Sequence, residues 1–270
     1  MNRFDYTPKD CFYFHEAVEK EVVPRLNILA QERKELLSVS TLKPWDKQVD
    51  PTGKLPLRPF SDEKDLLQKS IATLDRLDPF LGNCLRTMEA MGHLDLASRK
   101  GKAPGGYNYP LDETGVPFIF MNATSTYRDM ETMLHEGGHA VHSFLTNHWQ
   151  IHDFKHVPSE LAELASMSME LITMDHWDLF FDNEDDLKRA HKKQVGQVLD
   201  TLAWVATIDQ FQHWVYEHPD HTLTQRKNAW NEIFDRFSDN VTDWSGQETF
   251  KDFMWQKQLH LFEVPFYYIE

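Results

Sequence analysis

Cysteine is almost missing from this chain: Cys11 and Cys84 are the only two in 270 residues. Two thiols do not make a disulfide scaffold at this length, and a reducing cytosol is the expected compartment. Both thiols are expected to be small buried groups. No apolar run approaches the 18 or so residues of a membrane-spanning helix, and the opening Met1-Asn2-Arg3-Phe4-Asp5-Tyr6 lacks the apolar stretch of a signal peptide. Positive charge is scarce, with 28 Lys and Arg against 43 Asp and Glu and a formal net charge of −15. That balance argues against nucleic acid or an anionic membrane as a partner. The 11 glycines form neither a phosphate-binding loop nor a nucleophile elbow. Repeats and low-complexity tracts are absent. What is left is a chain with 41% hydrophobic residues, long enough to bury a sizeable core.

The hydrophobic spacing reads mostly as helix. Phe14, Val18, Val22 and Leu26 predict a helix from Asp10 to about Leu37, kinked or broken at Pro24. Residues 41–59 read as a loop in which Trp45 packs as an isolated aromatic. Two helices broken near Pro79 are expected from Ser61 to about Arg99. Gly101–Gly115 reads as a loop, and Pro117 opens a short edge strand. After Met174 the pattern predicts helices over Asp186–Glu217, Leu223–Phe237 and from Phe250 onward. Trp204, Phe211, Trp214, Trp230 and Phe234 are expected in the core.

Chemistry concentrates at His135-Glu136-Gly137-Gly138-His139, an H-E-x-x-H motif. On a helix, positions i and i+4 lie on one face, so two imidazoles reach one Zn²⁺ with the glutamate placed as a general base. Ser125 or Thr126 caps that helix, Asp129 suits its first turn, and Met130, Leu134, Val141 and Leu145 form the expected buried stripe. Gly137 and Gly138 each cost a helix roughly 1 kcal/mol relative to Ala. Room for a substrate or for a close-packed neighbour explains their presence.

A catalytic zinc needs a third protein ligand and an open position. His142 lies about 10.5 Å along the axis from His135, too far to share one ion. The metzincin pattern fails, because His142 stands where Gly is required and Leu145 where His is required. The following helix, Val157 to Met167 and beyond, offers Glu160, Glu163 and Glu170 on one face. Such a row is ordinarily a solvated acidic face, but here its neighbours are small and apolar.

Taken together, H-E-x-G-H-A-x-H over 135–142 and A-E-L-A-S over 162–166 resemble the oligoendopeptidase F branch of the M3 zinc peptidases, relatives of thimet oligopeptidase. Residues 101–107 (G-K-A-P-G-G-Y), 116–122 (V-P-F-I-F-M-N), His260 and 265–268 (P-F-Y-Y) extend the resemblance over nearly the whole chain. It implies a mainly α, multi-helical zincin-like catalytic domain with a short β-sheet or edge strand before the H-E-x-x-H helix. It also implies one Zn²⁺ per chain held by His135, His139 and Glu163, with Glu170 as a carboxylate behind a ligand. Glu136 is then the base. His260, Tyr267 and Tyr268 are the candidates to stabilise the oxyanion. The implied partners are short unstructured peptides, cut internally.

Members of that branch are about twice this long, so residues 1–270 are expected to hold the catalytic portion alone, without an N-terminal helical domain and a C-terminal end; the alternative is a compact relative that has lost the N-terminal wall. Two rival readings stand beside the endopeptidase: an aminopeptidase of the gluzincin type, and an inactive helical fragment with an incomplete cleft.

Overall fold

The protein is described from a computed structural model covering residues 6–263 and 266. It is mainly helical, and it divides into two compact units, Met1–Leu55 with Gln194–Glu270, and Pro56–Lys193.

In the first unit, the Asp10 carboxylate accepts from the Thr7 N–H at 2.8 Å and the Thr7 hydroxyl at 2.7 Å where α1 (Pro8–Ala17) starts. α2 (Val23–Leu36) follows after a π-helical turn at Val18–Val22. The expected break at Pro24 is therefore absorbed rather than made. Proline supplies no N–H and crowds the carbonyl four residues back, and the wider π turn just before it relieves both. The C-terminal part of α7 (Glu184–Glu217) and α8 (Leu223–Phe237) complete the unit. Val18, Val22, Leu26, Phe211, Trp230, Phe234 and Phe237 are buried together, with Trp204 and Trp214 packed against them. The helix expected from Phe250 onward is interrupted: α9 (Glu248–Asp252), a 3₁₀ turn at Met254–Lys257, then α10 (His260–Glu263). Trp45 is exposed rather than packed.

The second unit carries the motif. α3 (Glu63–Leu77) and α4 (Pro79–Ala90) are joined at Asp78, whose side chain caps α4. The second predicted helix ends at Ala90, short of Arg99. Residues Leu94–Ala97 instead form β1, because pairing with a distant strand outweighs local helix preference. β3 (Phe118–Ala123) runs parallel to β1 and antiparallel to β2 (Tyr107–Tyr109), in the order β1-β3-β2. So the strand at Phe118 is central, not an edge, and β2, expected to be loop, is an outer strand.

Lys102, its side chain 1% exposed, is bonded to the Asp95 carboxylate and to the carbonyls of Asp95, Ala97 and Met121, which pins the 101–106 loop to the sheet. Asn122 donates to the carbonyls of Ala103 and Gly105 at 2.9 Å and does the same. α5 (Tyr127–Thr146) then packs closely on α6 (Ser159–Ile172). The core of this unit includes Leu66, Leu74, Leu85, Ile119, Met121, Met130, Leu134 and Trp177. Cys11 and Cys84 are both buried free thiols.

Candidate metal centre

The motif helix begins at a capping box. Thr126 accepts from the Asp129 N–H at 3.3 Å, and the Asp129 carboxylate accepts from the Thr126 N–H at 2.9 Å. Thr126, not Ser125, is the cap. Met130, Leu134 and Val141 are buried along the expected stripe, while Leu145 is exposed at its end. Burying that stripe turns the opposite side of the helix, with His135 and His139, toward α6.

The two imidazoles stand 4.9 Å apart, ring centre to ring centre, nearly perpendicular at 87°. Glu163 on α6 meets both, Oε2 at 3.3 Å from His135 Nε2 and Oε1 at 3.7 Å from His139 Nε2. One donor atom from each of the three residues lies within 4.8 Å of the other two. These are two nitrogens and a carboxylate oxygen, a donor set that suits zinc.

Gly138 allows the helices to come this near. A Cβ there would stand 2.7 Å from Ser166 Cα and 2.8 Å from the Ala165 carbonyl oxygen. At Gly137 the same atom would meet nothing within 4 Å. The two glycines thus differ: Gly138 permits the close approach of α6, whereas a side chain at Gly137 would meet nothing nearby.

Supporting contacts hold the donors. His135 Nδ1 lies 2.7 Å from Glu170 Oε1, so Glu170 holds the Nδ1 proton and Nε2 is the ring nitrogen left to take a metal. Ser166 Oγ donates to the Glu163 carbonyl at 2.9 Å and to its carboxylate at 3.3 Å. His142 is half-buried, and the donor cluster does not include it.

Electrostatics follow from this crowding. Burial opposes charge on His135, but its hydrogen bonds to Glu163 and Glu170 outweigh that and lift it to about 10. Burial lowers His139, with Glu163 pulling the other way. For Glu163, burial raises the carboxyl, and the two histidines more than reverse it, leaving it below the usual carboxylate range.

Glu136, 6% exposed, is pushed by burial up to about 7. His135 and the backbone N–H of Asn108 draw it down, and the Glu163 charge drives it up. Asn108 of β2 went unseen in the sequence. Its contribution is a main-chain donor, which any residue type supplies, so no side-chain signal points to it.

His260 lies in the first unit, half-buried at the start of α10, with Nδ1 2.6 Å from Gln258 Nε2. Tyr267 and Tyr268 lie outside the described residues.

Residues 80–270 match the sequence model of Peptidase family M3. An oligoendopeptidase F homolog of Lactococcus lactis subsp. lactis (strain IL1403) is 28% identical over 174 residues, which is 64% of this chain and 28% of that protein. Oligopeptidase PepF of Bacillus subtilis (strain 168) is 27% identical over 132 residues, 49% of this chain and 19% of its own length. Among solved structures, PZ peptidase A with inhibitor 2 superimposes with a TM-score of 0.88 at 33% identity, covering 99% of this chain and 47% of that one. The chain therefore spans about half the length of the structure it resembles.

Proposed function

Given that the chain belongs to peptidase family M3, we propose that it is a zinc metalloendopeptidase cutting internal bonds of short, unstructured peptides. The observation that carries this reading is the meeting of His135, His139 and Glu163 donor atoms within 4.8 Å, across two helices whose closeness depends on Gly138. One Zn²⁺ at this centre, when bound, would supply Lewis-acid polarisation of the scissile carbonyl and of an attacking water.

The rest is done by the chain. Glu170 fixes the His135 tautomer, and Ser166 orients Glu163. Glu136 takes the proton of the attacking water and returns one to the leaving amine. Its lift to about 7 by burial suits a group that must both accept and release a proton near neutrality. His260, Tyr267 and Tyr268 are assigned to the oxyanion side, donating to the developing charge.

Peptide pairing by main-chain hydrogen bonds is assigned to β2, since it is an outer strand and its Asn108 N–H reaches Glu136. Beside it, Tyr107, Tyr109, Leu111 and Phe118 form a shallow, open apolar surface. No helix among the described residues is long and apolar enough to cross a membrane. A reducing cytosol is the compartment that two buried free thiols suit.

The test combines metal analysis with hydrolysis of peptides blocked at both ends. One equivalent of zinc at this centre is expected. Cleavage should stop with a chelator and return with zinc, and in Glu163→Ala the activity and the equivalent of zinc bound at this centre should both disappear. Cleavage that needs a free N-terminus would favour the aminopeptidase. A metal-loaded chain that cuts nothing would leave only the inactive-fragment reading.

A further inference from the structure

A second convergence of donors lies elsewhere in the second unit. Asp112 sits in the loop after β2, and His152 and His156 lie four apart in the connection between α5 and α6. His156 Nε2 stands 3.2 Å from His152 Nε2 and 3.6 Å from Asp112 Oδ2. One donor atom from each residue falls within 4.8 Å of the other two. All three side chains are exposed, at 64% for His152, 48% for His156 and 36% for Asp112.

The spacing is what a small metal ion requires. With zinc–nitrogen and zinc–oxygen bonds of about 2.0–2.2 Å, tetrahedral ligand atoms sit roughly 3.3–3.5 Å apart. His152 Nδ1 is also 3.4 Å from Asp112 Oδ2, so the carboxylate faces both imidazoles and the separations of 3.2, 3.4 and 3.6 Å all lie near that edge. Hydrogen bonds and ion pairs account for these contacts without a metal, and the same three donors lie near enough to one another to share one ion. Two imidazoles and one carboxylate favour zinc, copper, nickel or cobalt over magnesium or calcium, which prefer oxygen throughout.

We infer that Asp112, His152 and His156 form a second, surface site for a late first-row divalent metal ion. The ion clasps the loop after β2 to the α5–α6 connection. Both attachment points lie close in sequence to the proposed centre. Asp112 is four residues from Asn108, whose N–H meets Glu136, and His156 is seven residues from Glu163. An ion here restrains the connection that delivers α6, and with it Glu163. Each site has three protein ligands, and exposure makes this one the weaker and more readily exchanged of the two. The inference does not depend on the peptidase reading.

Zinc itself is the probe. The full chain, stripped by chelator and titrated with Zn²⁺, should take up two equivalents, and the His152→Ala/His156→Ala variant one. The His135→Ala/His139→Ala variant should retain one equivalent, lost again when Asp112→Ala and His152→Ala are added. Hydrogen exchange over residues 147–158 should slow as the weaker equivalent binds, and should not respond in His152→Ala/His156→Ala. Should His135→Ala/His139→Ala fail to fold, the wild-type and His152→Ala/His156→Ala titrations decide on their own. A wild-type chain that saturates at one equivalent overturns the site, as does a His152→Ala/His156→Ala variant that still takes two. Two equivalents without added protection at 147–158 overturn the clasp.

Discussion

Substituting alanine for Gly138 and, separately, for Gly137 should push the protein in opposite directions, although the two are neighbours on one helix. At Gly138 the added Cβ lies 2.7 Å from Ser166 Cα and 2.8 Å from the Ala165 carbonyl oxygen, both backbone atoms of α6. Carbon atoms prefer about 3.5–4.0 Å, so α6 must withdraw by roughly 0.8 Å or more. Alanine recovers roughly 1 kcal/mol of helix propensity, but overpacking of this kind costs about 1–3 kcal/mol. The net expectation is a loss of up to about 2 kcal/mol. The functional consequence should exceed the loss of stability. Ligand distances in a metal site tolerate about 0.2 Å, and a retreat of α6 draws Glu163 away from His135 and His139, so zinc affinity should fall by at least about tenfold. At Gly137 the new methyl meets nothing within 4 Å. Only the propensity term acts there, and stability should rise by up to about 1 kcal/mol with the zinc retained. Thermal unfolding of the metal-free proteins and competition of each with a zinc indicator give the two readouts. A Gly138→Ala protein as stable as the parent, with unchanged zinc affinity, would refute the claim that the α5–α6 approach sets the ligand geometry.

Glu136→Gln should keep the fold and zinc but lower turnover by about 10²–10⁴, because the amide cannot accept the water's proton; near-normal turnover in a zinc-loaded variant removes Glu136 from the mechanism. Glu170→Ala should weaken zinc binding by about 10–100-fold through loss of the 2.7 Å partner of His135, read by the same competition assay. Both cysteines should resist alkylation in the native protein at pH 8, since burial lifts each thiol to about 11 and keeps it protonated well above that pH; fast labelling of either without denaturant contradicts their burial. Asp95 is held down at about 2 by the hydrogen bond from Arg99, against the opposing effect of burial and with help from Lys102. Its folded-state value lies below the ordinary one, so its contribution is complete above the usual carboxylate range and should be lost as pH falls toward 2, as an NMR titration of the Asp95 carboxyl tests.

Much of the centre was legible because it is local. A capped helix with apolar residues at Met130, Leu134 and Val141 must put His135 and His139 on one face, whatever surrounds it. The helices of α7 and α8, and the core positions Phe211, Trp230 and Phe234, were likewise readable from spacing and composition. Leu94–Ala97 was misread because four residues carry too little pattern to reveal a strand whose partner lies more than twenty residues away. The same long-range pairing decided that Phe118–Ala123 would be the central strand and that β2 would lie at the edge.

From spacing alone, Glu160, Glu163 and Glu170 were equivalent candidates, and only family resemblance preferred one. The packing of α5 on α6 brings Glu163 to both Nε2 atoms and Glu170 to the far nitrogen of His135. Nor can a sequence say that Gly138 meets a backbone while Gly137 faces open space, or that Asp112 will lie beside a histidine pair forty residues on. A one-dimensional pattern determines which side chains share a helix face, because the helical repeat is a property of the backbone. Which faces then meet, and at what distance, is decided by the summed packing of a whole unit, and that is where the third ligand and the second cluster came from.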